Sequence, residues 1–209
     1  MIKALLMFVR PVATWTGIAE AGRGVMGVLL LFLLPLVATT SALEGYSLAR
    51  SGKFMTDPIR QLKTYTVQEA VVFEVFHSAL LIAIIFIVAG AVRAFSRTFH
   101  RRNNFKQAFN AIAYGFAPLL TLRLLDMIPW LNGWVAWLVG LALTLAVLYH
   151  GLPCILQPDP PHAIGLFFNG CMITIVATGL LRLVVVFYWE GRLRGVSQFI
   201  SDLAARLPS

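Results

Sequence analysis

The chain has 209 residues, 59% of them hydrophobic and only 12% charged, with a net charge of +8. So few charges cannot cover the surface of a soluble domain with that much apolar content. An ordinary soluble enzyme, a coiled coil and a disordered chain are excluded, and an integral membrane protein is indicated.

In chain order, the first element is a basic lead over residues 1–23. Ile2, Leu5, Leu6 and Val9 recur at helical spacing between Lys3 and Arg10, too short a run for a signal-peptide core. Five apolar windows follow, each long enough to cross about 30 Å of hydrocarbon as a helix. They are Gly24–Leu43, with a helix-kinking Pro35; Ala70–Val92; Gln107–Leu125; Trp130–Tyr149; and Ala163–Phe187. The expected fold is therefore an all-α membrane bundle of five helices over 24–187. A C-terminal segment, 188–209, repeats Val196, Phe199, Ile200, Leu203 and Leu207 at helical spacing beside Arg192, Arg194 and Arg206. Both ends read either as amphipathic stretches in the headgroup plane or as segments packed on neighbouring chain.

The connections differ in character. Glu44–Glu69 reads as a long polar loop holding Arg50, Lys53, Asp57, Pro58, Arg60 and Lys63. The second connection is basic, with Arg93, Arg97, Arg101, Arg102 and Lys106 placed to meet anionic lipid headgroups. Asp126–Pro129 is a tight turn, which makes spans three and four an antiparallel hairpin. Gly151–His162 contains Pro153, Pro158, Pro160 and Pro161, which should stop one helix and leave a stiff linker. Five spans put the termini on opposite sides. With the N-terminus in the cytoplasm, eight flanking cations lie inside and seven outside. That small excess, and the density of the second connection, favour N-inside.

Charges within spans are costly and point to function or to pairing. Glu74 and His77 open the second span, Arg123 and Asp126 close the third, and Arg182 lies about a turn before the end of the fifth. The alternating directions of the helices place all five near one membrane face. Two readings fit: a polar vestibule for an ion, lipid headgroup or peptide, or an interhelical ion-pair cluster that fixes packing. His150 and His162 lie near helix ends, without the pairing or carboxylate company of a haem or metal site. No cofactor and no metal are expected. Cys154 and Cys171 read as small packing residues. Asn110, Tyr114, Thr121, Asn169 and Thr178 are expected to hydrogen-bond between helices, and Gly115, Gly140, Gly170 and Gly179 to allow close approach. The sequence contains no nucleophile elbow, phosphate loop, dinucleotide fingerprint or zinc-protease motif, so no enzyme is expected.

The stretch Ala113-Tyr114-Gly115-Phe116-Ala117-Pro118, then Ile128-Pro129, then Tyr149-His150-Gly151-Leu152-Pro153, resembles the Yip-domain family of Ypt/Rab-interacting membrane proteins and their bacterial relatives. Arg10-Pro11-Val12-Ala13-Thr14-Trp15 resembles the family's opening. The family-motif positions are Tyr114, Pro118, Pro129, Tyr149, Gly151, Leu152 and Pro153. The spacing between Tyr114 and Pro118 is wider than bacterial members often show, and His150 and His162 stand where other residues are common. The resemblance implies a five-helix bundle with a cytosolic N-terminus and no enzymatic activity. Eukaryotic members act in vesicle traffic by binding Rab GTPases and each other. The short loops here suit a bacterial inner-membrane relative. The expected role is a scaffold, assembly or membrane-organising factor that contacts anionic lipid and a membrane-protein partner or a second copy, with no nucleic acid. The alternatives are a small transporter or permease component using the Glu74, His77, Arg123, Asp126 and Arg182 layer, and an accessory subunit of a larger membrane complex.

Overall fold

The computed structural model describes residues 11–54, 62–98 and 104–206. Expectations for Ile2 to Val9, Asp57, Pro58, Arg60, Arg101, Arg102 and Leu207 fall outside the described residues. Among the described residues the regular structure is helical, apart from one short strand pair. Five helical segments are long and apolar enough to cross a membrane: Val25–Ser51, Val67–Arg97, Phe105–Met127, Gly133–Leu156 and His162–Trp189.

Helix α1 (Pro11–Ala21) precedes α2 (Val25–Ser51), whose second turn, Leu29–Leu33, is a wide π turn. Pro35 lies just past that turn. It donates no N–H and its ring crowds the carbonyl four residues back, so the wide turn takes up the irregularity. α2 continues well beyond Leu43, where the apolar run stops, so the expected polar loop from Glu44 onward is corrected. Its first two turns are helix, and Glu44 is fully buried inside the span. A buried acidic group ends an apolar run in the sequence but does not end a helix when a cation meets it.

Gly52 ends α2 at φ 64° and ψ −168°, a conformation open essentially only to glycine. It turns the chain into β1 (Lys53–Phe54), which pairs antiparallel with β2 (Leu62–Lys63), Lys53 opposite Lys63 and Phe54 opposite Leu62. A Cβ at Gly52 would also collide with the Lys63 carbonyl. Gly52→Ala is therefore expected to cost about 1–3 kcal/mol, read as a lower midpoint of thermal unfolding in detergent.

α3 (Val67–Thr98) opens with a capping box: the Glu69 carboxylate accepts the Thr66 N–H at 3.0 Å and Thr66 Oγ1 accepts the Glu69 N–H at 3.2 Å. At about 48 Å it exceeds the hydrocarbon thickness, which leaves Arg93 and Arg97 at its far end. The third span is broken into α4 (Phe105–Gly115), α5 (Ala117–Leu122) and a 3₁₀ turn (Arg123–Met127). The break falls at Phe116, just ahead of Pro118. This span is the central stave, and residues 108–120 are all buried. Its alanines at 108, 111, 113 and 117 let neighbours approach on every side.

α6 (Gly133–Leu156) is capped by Asn132, whose side chain accepts the Trp134 N–H at 2.9 Å. It runs past Tyr149 and contains Pro153, so that proline does not stop the helix as expected. Near a C-terminus the missing N–H leaves the carbonyl four residues back, on exposed Tyr149, to other partners. The linker shrinks to Gln157–Asp159, and α7 (Pro160–Trp189) begins with two prolines in its first turn, where their lack of N–H costs nothing. α8 (Arg194–Ala204) lies against α3 and α7. Ile200 is buried there, and Ser201 donates to Glu69 at 2.7 Å. α3 packs on α2, α4 and α7, while α6 packs on α1, α4, α5 and α7.

The outer surfaces are apolar. Leu31, Val75, Ile87, Leu138, Val176 and Leu180 are all exposed. In water such a surface would aggregate, and in lipid it is the expected covering. The chain is an integral membrane bundle.

Candidate functional site

The polar groups of the bundle converge at the face where α2 ends, α3 begins, the third span ends and α7 ends. Arg123 and Asp126 start from the 3₁₀ turn, where residues three apart project to the same side. Each gathers its own partners.

Arg123 is 7% exposed, hydrogen-bonds through both terminal nitrogens and ion-pairs through Nε. Its Nε lies 2.5 Å from Glu44 Oε2, and one terminal nitrogen donates to Ser41 Oγ at 2.8 Å. The other terminal nitrogen donates to Glu74 and lies 2.8 Å from His77 Nδ1. A guanidinium has no acceptor, so Nδ1 of His77 must accept, which places the imidazole proton on Nε2. Ser41 also pairs with Ser78 at 2.6 Å, tying α2 to α3.

Asp126 is held by a bidentate fork from Arg182, both bonds 2.6 Å. Arg182 also donates to the Gly133 carbonyl at the start of α6. Lys53 donates to the Asp126 and Ile128 carbonyls at 2.6 and 3.2 Å, and its ammonium lies 3.9 Å from the Asp126 carboxylate. The Trp189 ring faces both cations, Lys53 at 4.9 Å and Arg182 at 5.0 Å. Burial holds the Lys53 ammonium below its ordinary lysine value, and the charges of Asp126 and Glu44 pull it part of the way back.

The layer thus contains Glu44, Glu74 and Asp126 against Arg123, Arg182 and Lys53, and its charges cancel. The five residues singled out from sequence come together at one depth. Glu44, Ser41 and Lys53 were missed. Glu44 carried a usable signal: continuing the helical spacing from Val37 through Ser41 and Leu48 puts it on the buried face. Lys53 carried none, because its partners are carbonyls of a turn remote in sequence.

Glu44, Glu74 and His77 present ligand atoms within 4.8 Å of one another, a spacing that suits a metal. Arg123 touches all three, so its guanidinium fills the place a cation would take. Beside the layer lies a cavity of about 40 Å³ bounded by His77, Leu119, Arg123, Asp126, Trp137 and Arg182. It has room for a few waters.

The remaining candidates separate by position. Asn110 donates to the Arg23 carbonyl at 2.9 Å, and Trp137 donates to Thr178 at 3.3 Å, both between elements as expected. Thr121 and Asn169 instead bond carbonyls of their own helix, Ala117 and Gly165, which corrects the interhelical expectation. His150 is exposed, with its ring 5.1 Å from that of Tyr149, and His162 lies in the first turn of α7. Cys154 and Cys171 are free thiols. Gly140 lies against the Leu119 backbone. Arg93 and Lys106 are half-buried and Arg97 is exposed, all three at the face opposite the ion-pair layer.

The motif positions are spread along the bundle, and two of the motifs touch. Tyr114 is buried against Phe32, ring centroids 4.4 Å apart, and Pro118 starts α5. The Pro129 carbonyl accepts the Phe54 N–H at 3.3 Å. Trp15, from the N-terminal motif, is fully buried and donates its indole N–H to the Val147 carbonyl at 3.2 Å. Its ring rests on Gly151, from the motif that ends with Leu152 and Pro153, and the first and fourth motifs form one joint.

The sequence model of the Yip1 domain matches residues 5–181. No curated protein and no solved structure matches the chain.

Proposed function

The chain belongs to the Yip1 domain family, and from that premise we propose that it is a non-enzymatic scaffold or assembly factor that organises membrane through protein and lipid contacts. The observation that carries this reading is the mutual pairing of the intramembrane charges. Every carboxylate of the layer meets a guanidinium or ammonium of the same bundle. Such a closed set locks the helices in register and has no free charge to offer a passing solute. The cavity among His77, Arg123, Asp126 and Arg182 has room for only a few waters, which supports the scaffold over the permease alternative.

The apolar outer faces of α2, α3, α6 and α7 are available to a membrane-protein partner or to a second copy. Arg93, Arg97 and Lys106, with Arg101 and Arg102 from the neighbouring connection, would engage anionic headgroups. We place the N-terminus and this basic connection in the cytoplasm and the C-terminus on the opposite side, on the charge excess of that connection. The short connections suit a bacterial inner membrane.

The test is extraction into nanodiscs with native lipid, followed by native mass spectrometry. A stoichiometric protein partner or a defined oligomer is expected. A monomer carrying a bound water-soluble solute would overturn the scaffold reading.

A further inference from the structure

A groove of about 920 Å³ lies between α2 and α3. Its α2 wall is built from Ala38, Ala42, Gly45 and Ala49, three or four residues apart and so on one face. Val71 and Val75 line the α3 wall, and the Ser41–Ser78 pair and Glu74 form the floor. At the end nearest the membrane face stand Tyr46 and Arg50, both exposed, with Arg50 donating to the Tyr46 hydroxyl at 2.6 Å. Among the described residues no carboxylate lies within ion-pairing distance of Arg50.

We propose that this groove binds one anionic glycerophospholipid, its acyl chain against the small residues of α2 and its phosphate on Arg50. Two observations select that occupant. The first is charge: the walls of the groove are mostly apolar, and the cation at its end has no acidic partner among the described residues, the polarity of an anionic amphiphile. The second is size. From Leu34 to Arg50 the helix climbs about 24 Å, which matches one leaflet with its headgroup, half of about 40–45 Å. The volume also lies within the usual range for a small-molecule pocket. The proposal does not depend on the scaffold reading. A lone monomer would leave it standing, and failure of the groove would leave the scaffold standing.

The test uses the full chain in phosphatidylcholine nanodiscs doped with phosphatidylglycerol carrying a diazirine on one acyl chain. Irradiation is expected to label residues 34–50 and 67–82 above the outer faces of α6 and α7. Unlabelled phosphatidylglycerol should compete and phosphatidylcholine should not. Arg50→Gln should lower labelling about fivefold, the weight of one cation at an anionic headgroup. Ala42→Leu with Ala79→Leu fills the groove from two exposed positions and should abolish labelling with thermal stability unchanged. Equal labelling by the phosphatidylcholine analogue would mean unselective boundary lipid and would overturn the proposal. So would full competition by free palmitate.

Discussion

Arg123→Leu is expected to destabilise the bundle by about 3–5 kcal/mol, enough to prevent its accumulation in the membrane. The change removes the group that, among the described residues, touches Glu44, Glu74 and His77 together, and leaves two buried carboxylates side by side. Neither can turn to water, because Glu44 is fully buried and Glu74 is 5% exposed. The loss comes mainly from the stranded charges rather than from the missing attraction. Adding Glu44→Gln and Glu74→Gln to Arg123→Leu should therefore restore most of the stability. Removal of a whole buried ionic set is often close to neutral, while removal of one partner is not. Thermal unfolding in detergent, with expression level as a second readout, measures both effects.

Trp15→Ala should produce a loss of similar size, about 3–5 kcal/mol. The indole is fully buried between α1 and α6, its N–H is used, and its ring lies where any side chain at residue 151 would have to go. Gly151→Val should eject the ring and release α1 by the opposite route. The two changes attack one contact, so together they should cost clearly less than their sum. Simple additivity would mean that the tryptophan and the glycine act independently, against the joint described here.

The five spans were legible because bilayer thickness forces long apolar runs with few charges. The common depth of Glu74, His77, Arg123, Asp126 and Arg182 was legible for a related reason: span ends alternate between two faces, so position along the chain converts to depth. The pairing was not legible. Whether Arg123 or Arg182 takes a given carboxylate depends on helix rotation, which an all-round apolar sequence does not encode. Glu44 was lost because the uncharged run of the first window ends there and polar residues follow, whereas the helix continues where a neighbouring cation compensates the charge. Pro153 misled for the converse reason, since a proline in the last turn of a helix removes little. Lys53 became part of the layer only through Gly52, whose left-handed turn brings the strand pair back over the third span.

The central claim is that the intramembrane charges form a closed structural clamp. The most direct measurement is the unfolding free energy of Arg123→Leu beside that of the triple variant Glu44→Gln, Glu74→Gln, Arg123→Leu, in the same detergent. The account predicts a severe loss in the single variant and recovery to within about 1 kcal/mol of the parent in the triple. A single variant as stable as the parent, or a triple variant as unstable as the single, would contradict it.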